Sequence, residues 1–273
     1  MYNNCGMNRK IKLLILVFAV ALSIIIYQQK YILDKQSCIT DSVADKMSLL
    51  IAERYEHIKG LDLEGINMEL AYQLAKRSVT GIEIDNSVGN GIIWRIQEDK
   101  VVVVTNRHLL DNGIKAQVFF CDGSSAAAKI LGCSQQYDIG FLEIDIRDIS
   151  KNAIREIYEA VPVMYNLEDD YEMDLFNNQM TGLDIIQLGM DLVYKGKISK
   201  VSFVPVFNTH VIESECYSKA GMSGGGMFDV EGRFIGMISG GDVLEDSEYR
   251  EADITYSIPA WLIENELELM MKG

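Results

Sequence analysis

The sequence predicts an all-β protein built as two six-stranded antiparallel β-barrels, with a membrane-anchor helix at the N-terminus and a further helix at the C-terminus. Three observations carry this. Between residues 79 and 258 short apolar or alternating runs fall into two sets of six, with Asn, Asp and Gly clustered between them at barrel or sandwich spacing. An acidic, irregular stretch separates the two sets, and residues 13–27 form an uninterrupted apolar run. The 273 residues, 48% hydrophobic and 24% charged with three Pro, suit one globular domain of about 200–230 residues plus appendages and rule out a disordered or collagen-like chain.

Charge and cysteine usage exclude whole classes. With 25 Lys+Arg against 40 Asp+Glu the net charge is −15, and no basic run supplies the patch a nucleic-acid binder needs. The one basic concentration is Arg9, Lys10 and Lys12. Five Cys without a CxxC pair suggest neither a disulfide scaffold nor zinc or thiol redox chemistry, so no metal and no cofactor are expected.

In chain order, residues 1–12 are a basic cytoplasmic segment and 13–29 a signal anchor. The run LLILVFAVALSIIIY has Ser23 as its sole polar guest, and a buried core helix would show a polar face. Fifteen residues span about 22 Å, between the length of a signal-peptide core and that of a full anchor. Ala19-Val20-Ala21 lies within the run, and Gln28, Gln29, Lys30 and Tyr31 behind it are poor cleavage residues. An uncleaved anchor is therefore favoured, with a secreted domain after signal cleavage as the alternative. The positive flank keeps the N-terminus cytoplasmic and exports the rest. Residues 30–65 read as a stalk, in which Met47, Leu50, Ile51, Tyr55 and Ile58 recur at helical spacing.

Residues 66–273 form the folded domain. A helical stretch at 66–77 precedes a first barrel over about 79–150, with runs at Val79–Ile84, Gly91–Ile96, Val101–Thr105, Ala116–Phe120, Ala128–Leu131 and Ile139–Ile144. The acidic run Glu168–Asp174 reads as a solvated inter-barrel loop. The second barrel, over about 180–258, has runs at Asp184–Leu188, Lys197–Val204, Val211–Glu213, Gly226–Val230, Phe234–Ile238 and Ile254–Ile258, and a helix follows at 260–271.

Three points on this map hold reactive residue types: Thr105-Asn106-Arg107-His108 after an apolar strand, Tyr137-Asp138-Ile139-Gly140-Phe141-Leu142-Glu143-Ile144 opening another, and Gly221-Met222-Ser223-Gly224-Gly225-Gly226 before a third. Singly, each has a plain structural reading as a core histidine, a strand cap or a tight turn. No Lys follows the glycines and no strand-to-helix switch surrounds them, which argues against a phosphate loop. Together they resemble the chymotrypsin-like serine proteases, specifically the bacterial HtrA-like (Deg) branch, in the order His, Asp, Ser. Gly89-Asn90-Gly91-Ile92-Ile93 is similar to the glycine-bracketed strand of that family, and Ser257-Ile258-Pro259 to its ending.

The resemblance covers about residues 75–270 and implies a serine endopeptidase acting on polypeptides. In it Ser223 is the nucleophile, His108 the general base, Asp138 its orienter, and the Gly221 and Ser223 amides form the oxyanion hole. Tyr217, Ser239, Gly240 and Gly241 fall at substrate-pocket positions. With no acid six residues before Ser223, cleavage after uncharged residues is expected. Gly226 replaces the usual Pro, Arg107 is bulkier than the common small residue, and Met222 stands where digestive relatives hold an acid that pairs with a new N-terminus. Activity is thus expected without N-terminal processing. With Gly273 directly after the last helix, no PDZ-type domain is expected. The partners implied are polypeptide substrates and the membrane, through one N-terminal helix; nucleic acid is not among them, and an oligomer is neither required nor ruled out. The competing function is a catalytically silent protease-like domain that binds peptides or senses the envelope, although no triad member is missing.

Overall fold

The computed structural model describes residues 63–85, 87–111, 113, 115–163, 170–243 and 251–272. All but Leu63 belong to one compact unit, Glu64–Gly273. The expected anchor at 13–29 and nearly all of the stalk lie outside the described residues. Among those described, no helix is long and apolar enough to cross a membrane.

Helix α1 (Leu63–Ala75) and a 3-10 turn (Lys76–Ser78) lead into β1 (Val79–Ile84), β2 (Ser87–Ile96) and β3 (Lys100–Thr105). A one-turn helix α2 (Arg107–Leu110), β4 (Ala116–Phe119), β5 (Ser125–Cys133) and β6 (Gly140–Asp145) follow. These six strands close into an antiparallel barrel in the order β1-β2-β3-β6-β5-β4. Helices α3 (Lys151–Glu156) and α4 (Asp170–Met180) occupy the connection. The second barrel comprises β7 (Asp184–Leu188), β8 (Val193–Val204), β9 (Thr209–Ser218), β10 (Gly226–Asp229), β11 (Phe234–Val243) and β12 (Ala252–Pro259). It closes as β10-β11-β12-β9-β8-β7, and α5 (Ala260–Lys272) ends the chain.

Continuous apolar runs, rather than strict alternation, mark strands buried on both faces. On β3, Val101 and Val103 point into the first barrel with Ile93, Leu142 and Ile144. Val102 and Val104 point the other way and join Ile92, Trp94, Phe141, Ile186, Leu188, Phe228, Phe234 and Met237 in a core shared by both barrels. Trp94 and Phe234 meet edge-to-face across it, ring centroids 5.5 Å apart. A separate core of Ile185, Ile198, Ile212, Met227 and Ile235 fills the second barrel. Side-chain period 2 therefore divides each strand between a barrel interior and the seam. Helix α5 returns from the second barrel to the first, where the Glu264 carboxylate accepts from Trp94 Nε1 at 2.7 Å and also from Arg95.

One expectation fails in the connection. The acidic run read as a loop up to Asp174 enters α4, because Phe176 and Met180, four apart on one helix face, are buried at 2% and 3% with Met173 packed beside them. Asn177 Oδ1 further accepts from the Val201 amide at 2.6 Å and fastens the helix to β8.

Candidate active site

Pairing of β3 with β6 sets Thr105 opposite Gly140, so the end of one strand lies beside the start of the other. His108, three residues past Thr105, and Asp138, two before Gly140, are thereby neighbours. The loop before Asp138 is closed by Ser134, whose hydroxyl accepts from the Gln136 and Tyr137 amides and whose own amide donates to Ile139 O. Asp138 Oδ1 accepts from the His108 amide at 2.9 Å, while His108 Nδ1 lies 2.9 Å from Oδ2 and 3.1 Å from Oδ1. With Nδ1–H donating to the carboxylate, Nε2 is left as the basic atom. The hydrogen bond to Asp138, opposed by partial burial, raises the pKa of His108 above its ordinary value. Ser239 Oγ donates to Asp138 Oδ2 from the second barrel.

Arg107 does not reach the imidazole. The chain turns into a helix at that residue instead of continuing as a strand, and its guanidinium is bonded to Ser134 O, Gln135 O and Asp111.

Ser223 sits on the turn entering β10. Gly221 has φ +92°, a left-handed conformation that favours glycine, though nothing stands within 4 Å of where a Cβ would project. Gly224 is required twice over, since φ is +78° and a Cβ would fall 1.9 Å from Asn90 O. Among the described residues neither the Gly221 nor the Ser223 amide donates to another protein group. His108, Gly221, Ser223, Ser239, Gly240 and Gly241 line one cleft of about 400 Å³, walled also by Ser218 and Ala252. No carboxylate is among its described lining residues. Among the described residues the His108 ring is hydrogen-bonded to Asp138 and not to the Ser223 hydroxyl; such bonds often tighten only when substrate arrives.

Tyr217 is not brought to this cleft. Alternation on β9 turns Ser218 toward it and Tyr217 away, where the phenol bonds Glu251 and the ring packs edge-to-face on Tyr194 at 4.8 Å. Cys121, Cys133 and Cys216 are free thiols, and burial pushes that of Cys216 up to about 12. His210 packs against Phe203, and Met222 is buried at 1%. Among the described residues no group of His, Cys, Asp and Glu could hold a metal ion. The expectation based on residue type and order placed Ser239 on the pocket wall but missed its bond to Asp138; it also missed the side chain of Asn90. A polar residue bracketed by Gly89 and Gly91 before an apolar strand was the available signal.

Two six-stranded barrels that gather a histidine, an aspartate and a serine at their seam make up the chymotrypsin-like architecture. The chain belongs to the trypsin-like peptidase domain family, which matches residues 89–237, more than half its length. It is 24% identical over 192 residues to the serine protease Do-like HtrA of Bacillus subtilis (strain 168), covering 65% of this chain and 38% of that protein. It is 25% identical over 191 residues to the probable periplasmic serine endoprotease DegP-like of Buchnera aphidicola subsp. Schizaphis graminum, covering 68% and 36%. The chain thus spans well under half the length of these curated relatives. Its fold is similar to that of the HtrA-type protease AlgW with tripeptide, with TM-score 0.60 at 18% identity over 75% of this chain and 64% of that one. With AlgW bound to a decapeptide the TM-score is 0.58 at 17% identity, over 76% and 68%.

Proposed function

We propose that this protein is a serine endopeptidase of HtrA type, held at the membrane by residues 13–29 with its protease domain, residues 66–273, outside the cytoplasm. The observation that carries the chemistry is the two-point contact of His108 with Asp138, facing across one cleft a serine whose turn offers two unpaired amides. Ser223 Oγ attacks the scissile carbonyl as His108 Nε2 takes its proton. Asp138 keeps the imidazole in the tautomer that leaves Nε2 basic and stabilises it once charged. The developing oxyanion accepts from the Gly221 and Ser223 amides. His108 then protonates the departing amine, and water, activated by the same nitrogen, releases the acyl group.

Ser218, Ser239, Gly240, Gly241 and Ala252 on the cleft walls are small and uncharged, and Lys219, which also lines the cleft, is itself a cation. A substrate Lys or Arg would be desolvated there without a carboxylate to meet it, so cleavage falls after uncharged residues. The AlgW structures hold peptides, and a DegP-like relative is described as periplasmic; by analogy the substrates are exposed polypeptide segments and the work is protein quality control in the envelope. The deciding experiment is labelling with a fluorophosphonate. Ser223 is labelled in the wild type and labelling vanishes in Ser223→Ala. A well-folded wild type that takes up no label would overturn the protease function in favour of a silent peptide-binding domain.

A further inference from the structure

Asn90 is 4% exposed, and both ends of its carboxamide and its main-chain N–H reach residues of the second-barrel side. Its Nδ2 donates to Gly221 O at 2.6 Å, and its Oδ1 accepts from the Met190 amide at 2.8 Å. These partners orient the carboxamide unambiguously, since one end meets an acceptor and the other a donor. Its main-chain N–H donates to Ser223 O at 2.8 Å, and its own carbonyl accepts from Thr105 Oγ1 at 2.6 Å.

The three carbonyls of the turn are consequently all held. That of Met222 accepts from the Gly225 amide within the second barrel. Those of Gly221 and Ser223 are both held by Asn90, a residue of β2 in the first barrel. The Gly221–Met222 peptide has one other tie, from the Met222 amide to Lys219 O at 3.1 Å, and that tie stays inside the same turn. Asn90 therefore connects the turn that bears Ser223 to the barrel that bears His108 and Asp138.

We propose that Asn90 is a positioning residue for the oxyanion turn: by holding the Gly221 and Ser223 carbonyls it fixes the peptide planes that follow these two residues, and through them the backbone that carries the Gly221 and Ser223 amides relative to His108. This rests on the protease function proposed above. The Met222–Ser223 peptide, which carries the Ser223 amide, is bracketed by the two held peptides and has its own carbonyl bound by the Gly225 amide, and the Gly221 amide directly precedes the peptide that Asn90 Nδ2 holds. Without the Nδ2 donor, the peptide after Gly221 keeps only the Met222 amide's tie to Lys219 O, made inside the same turn, and the donors lose their aim at the tetrahedral oxygen. Placement of this kind is realised in the transition state and leaves ground-state binding nearly untouched.

The test compares wild type, Asn90→Ala and Asn90→Asp in fluorophosphonate labelling kinetics and in amide hydrogen exchange of residues 219–224. Asp is isosteric and retains the acceptor for Met190, so the fold is kept, but it sets an oxygen against Gly221 O. In both variants the maximal labelling rate should fall about 10- to 100-fold, against the larger loss typical of deleting an oxyanion donor outright. The half-saturating reagent concentration should change by less than about threefold, and labelling should still run to completion. Partial unfolding would instead lower the labelled fraction and leave the rate of the folded remainder unchanged. Exchange at 219–224 should accelerate while the barrel strands stay protected. Labelling rates within about twofold of wild type, or unchanged exchange at 219–224, would overturn the inference. If wild-type Ser223 takes no label while exchange still responds to Asn90→Asp, the protease function falls and the ordering of the turn by Asn90 stands.

Discussion

Ser239 of the second barrel donates its hydroxyl to the same Asp138 oxygen, Oδ2, that lies 2.9 Å from His108 Nδ1. The carboxylate that orients the imidazole is thus itself oriented from across the seam. Removing this donor in Ser239→Ala leaves Asp138 held by His108 alone at that oxygen. Stability should fall by about 0.5–1.5 kcal/mol, the net worth of one hydrogen bond. Hydrolysis of a peptide ester should slow about three- to tenfold, chiefly in kcat, as a loss of that size in the barrier implies. Urea titration and steady-state kinetics read the two effects; unchanged kcat would show that Asp138 needs no second anchor.

The pKa of His108 is raised above 6.5, mainly by its hydrogen bond to Asp138, and this gives activity and stability opposite pH slopes. In the proposed mechanism His108 acts as the base and must be neutral, so activity should climb as pH rises through the raised folded value. The stability gained from protonating His108 is fully present below the unfolded value of 6.5 and is lost as pH rises through that folded value. Asp138→Asn should move the acid limb of the rate profile to lower pH while cutting the rate by orders of magnitude. A limb that stays in place would show that Asp138 is not the perturbing group.

The two left-handed glycines should respond differently. In Gly221→Ala a Cβ enters open space, so the chain should fold with a loss of about 1–2 kcal/mol from the φ penalty and lose much of its Ser223 labelling. In Gly224→Ala a Cβ would collide with Asn90 O at 1.9 Å, and the seam must part. Soluble yield and thermal melting of the two variants make the comparison; equal stabilities would contradict it.

Glu264 joins α5 to the first barrel through Trp94, whose ring is fully buried. Truncation in Glu264→Ala leaves a buried indole N–H unpaired and should cost about 1–3 kcal/mol. Near-ultraviolet dichroism of Trp94 should weaken along with the urea midpoint. A loss below about 0.3 kcal/mol would mean that water replaces the carboxylate.

Legibility in the sequence followed burial. The four consecutive valines of β3 announced a strand because both faces are covered, and the bulge-free core of β7 was equally plain. Strand ends ran further than expected, to Ser125–Cys133 in β5 and Val193–Val204 in β8, because hairpin pairing extends into exposed residues that have no apolar signature. Helix α4 was masked by acidic residues at its start, although Met173, Phe176 and Met180 carried the helical period. The motif residues His108, Asp138 and Ser223 stood out by type and order, and Tyr217 was assigned to the pocket by counting back from Ser223, a rule that cannot see which face of β9 the ring takes.

The sequence by itself determined the strand inventory, the two-barrel division and the residue types that can carry acyl transfer, because each is a local matter of period, turn chemistry or motif. Only the tertiary structure decided that Asp138 is met by Ser239, that Asn90 holds Gly221, and that Tyr217 faces Tyr194 instead of the cleft. Those contacts join residues 101 and 131 positions apart in the first two cases. They exist because closing two barrels against one shared core brings their loops together, and that closure is a property of the whole sheet order rather than of any window along the chain.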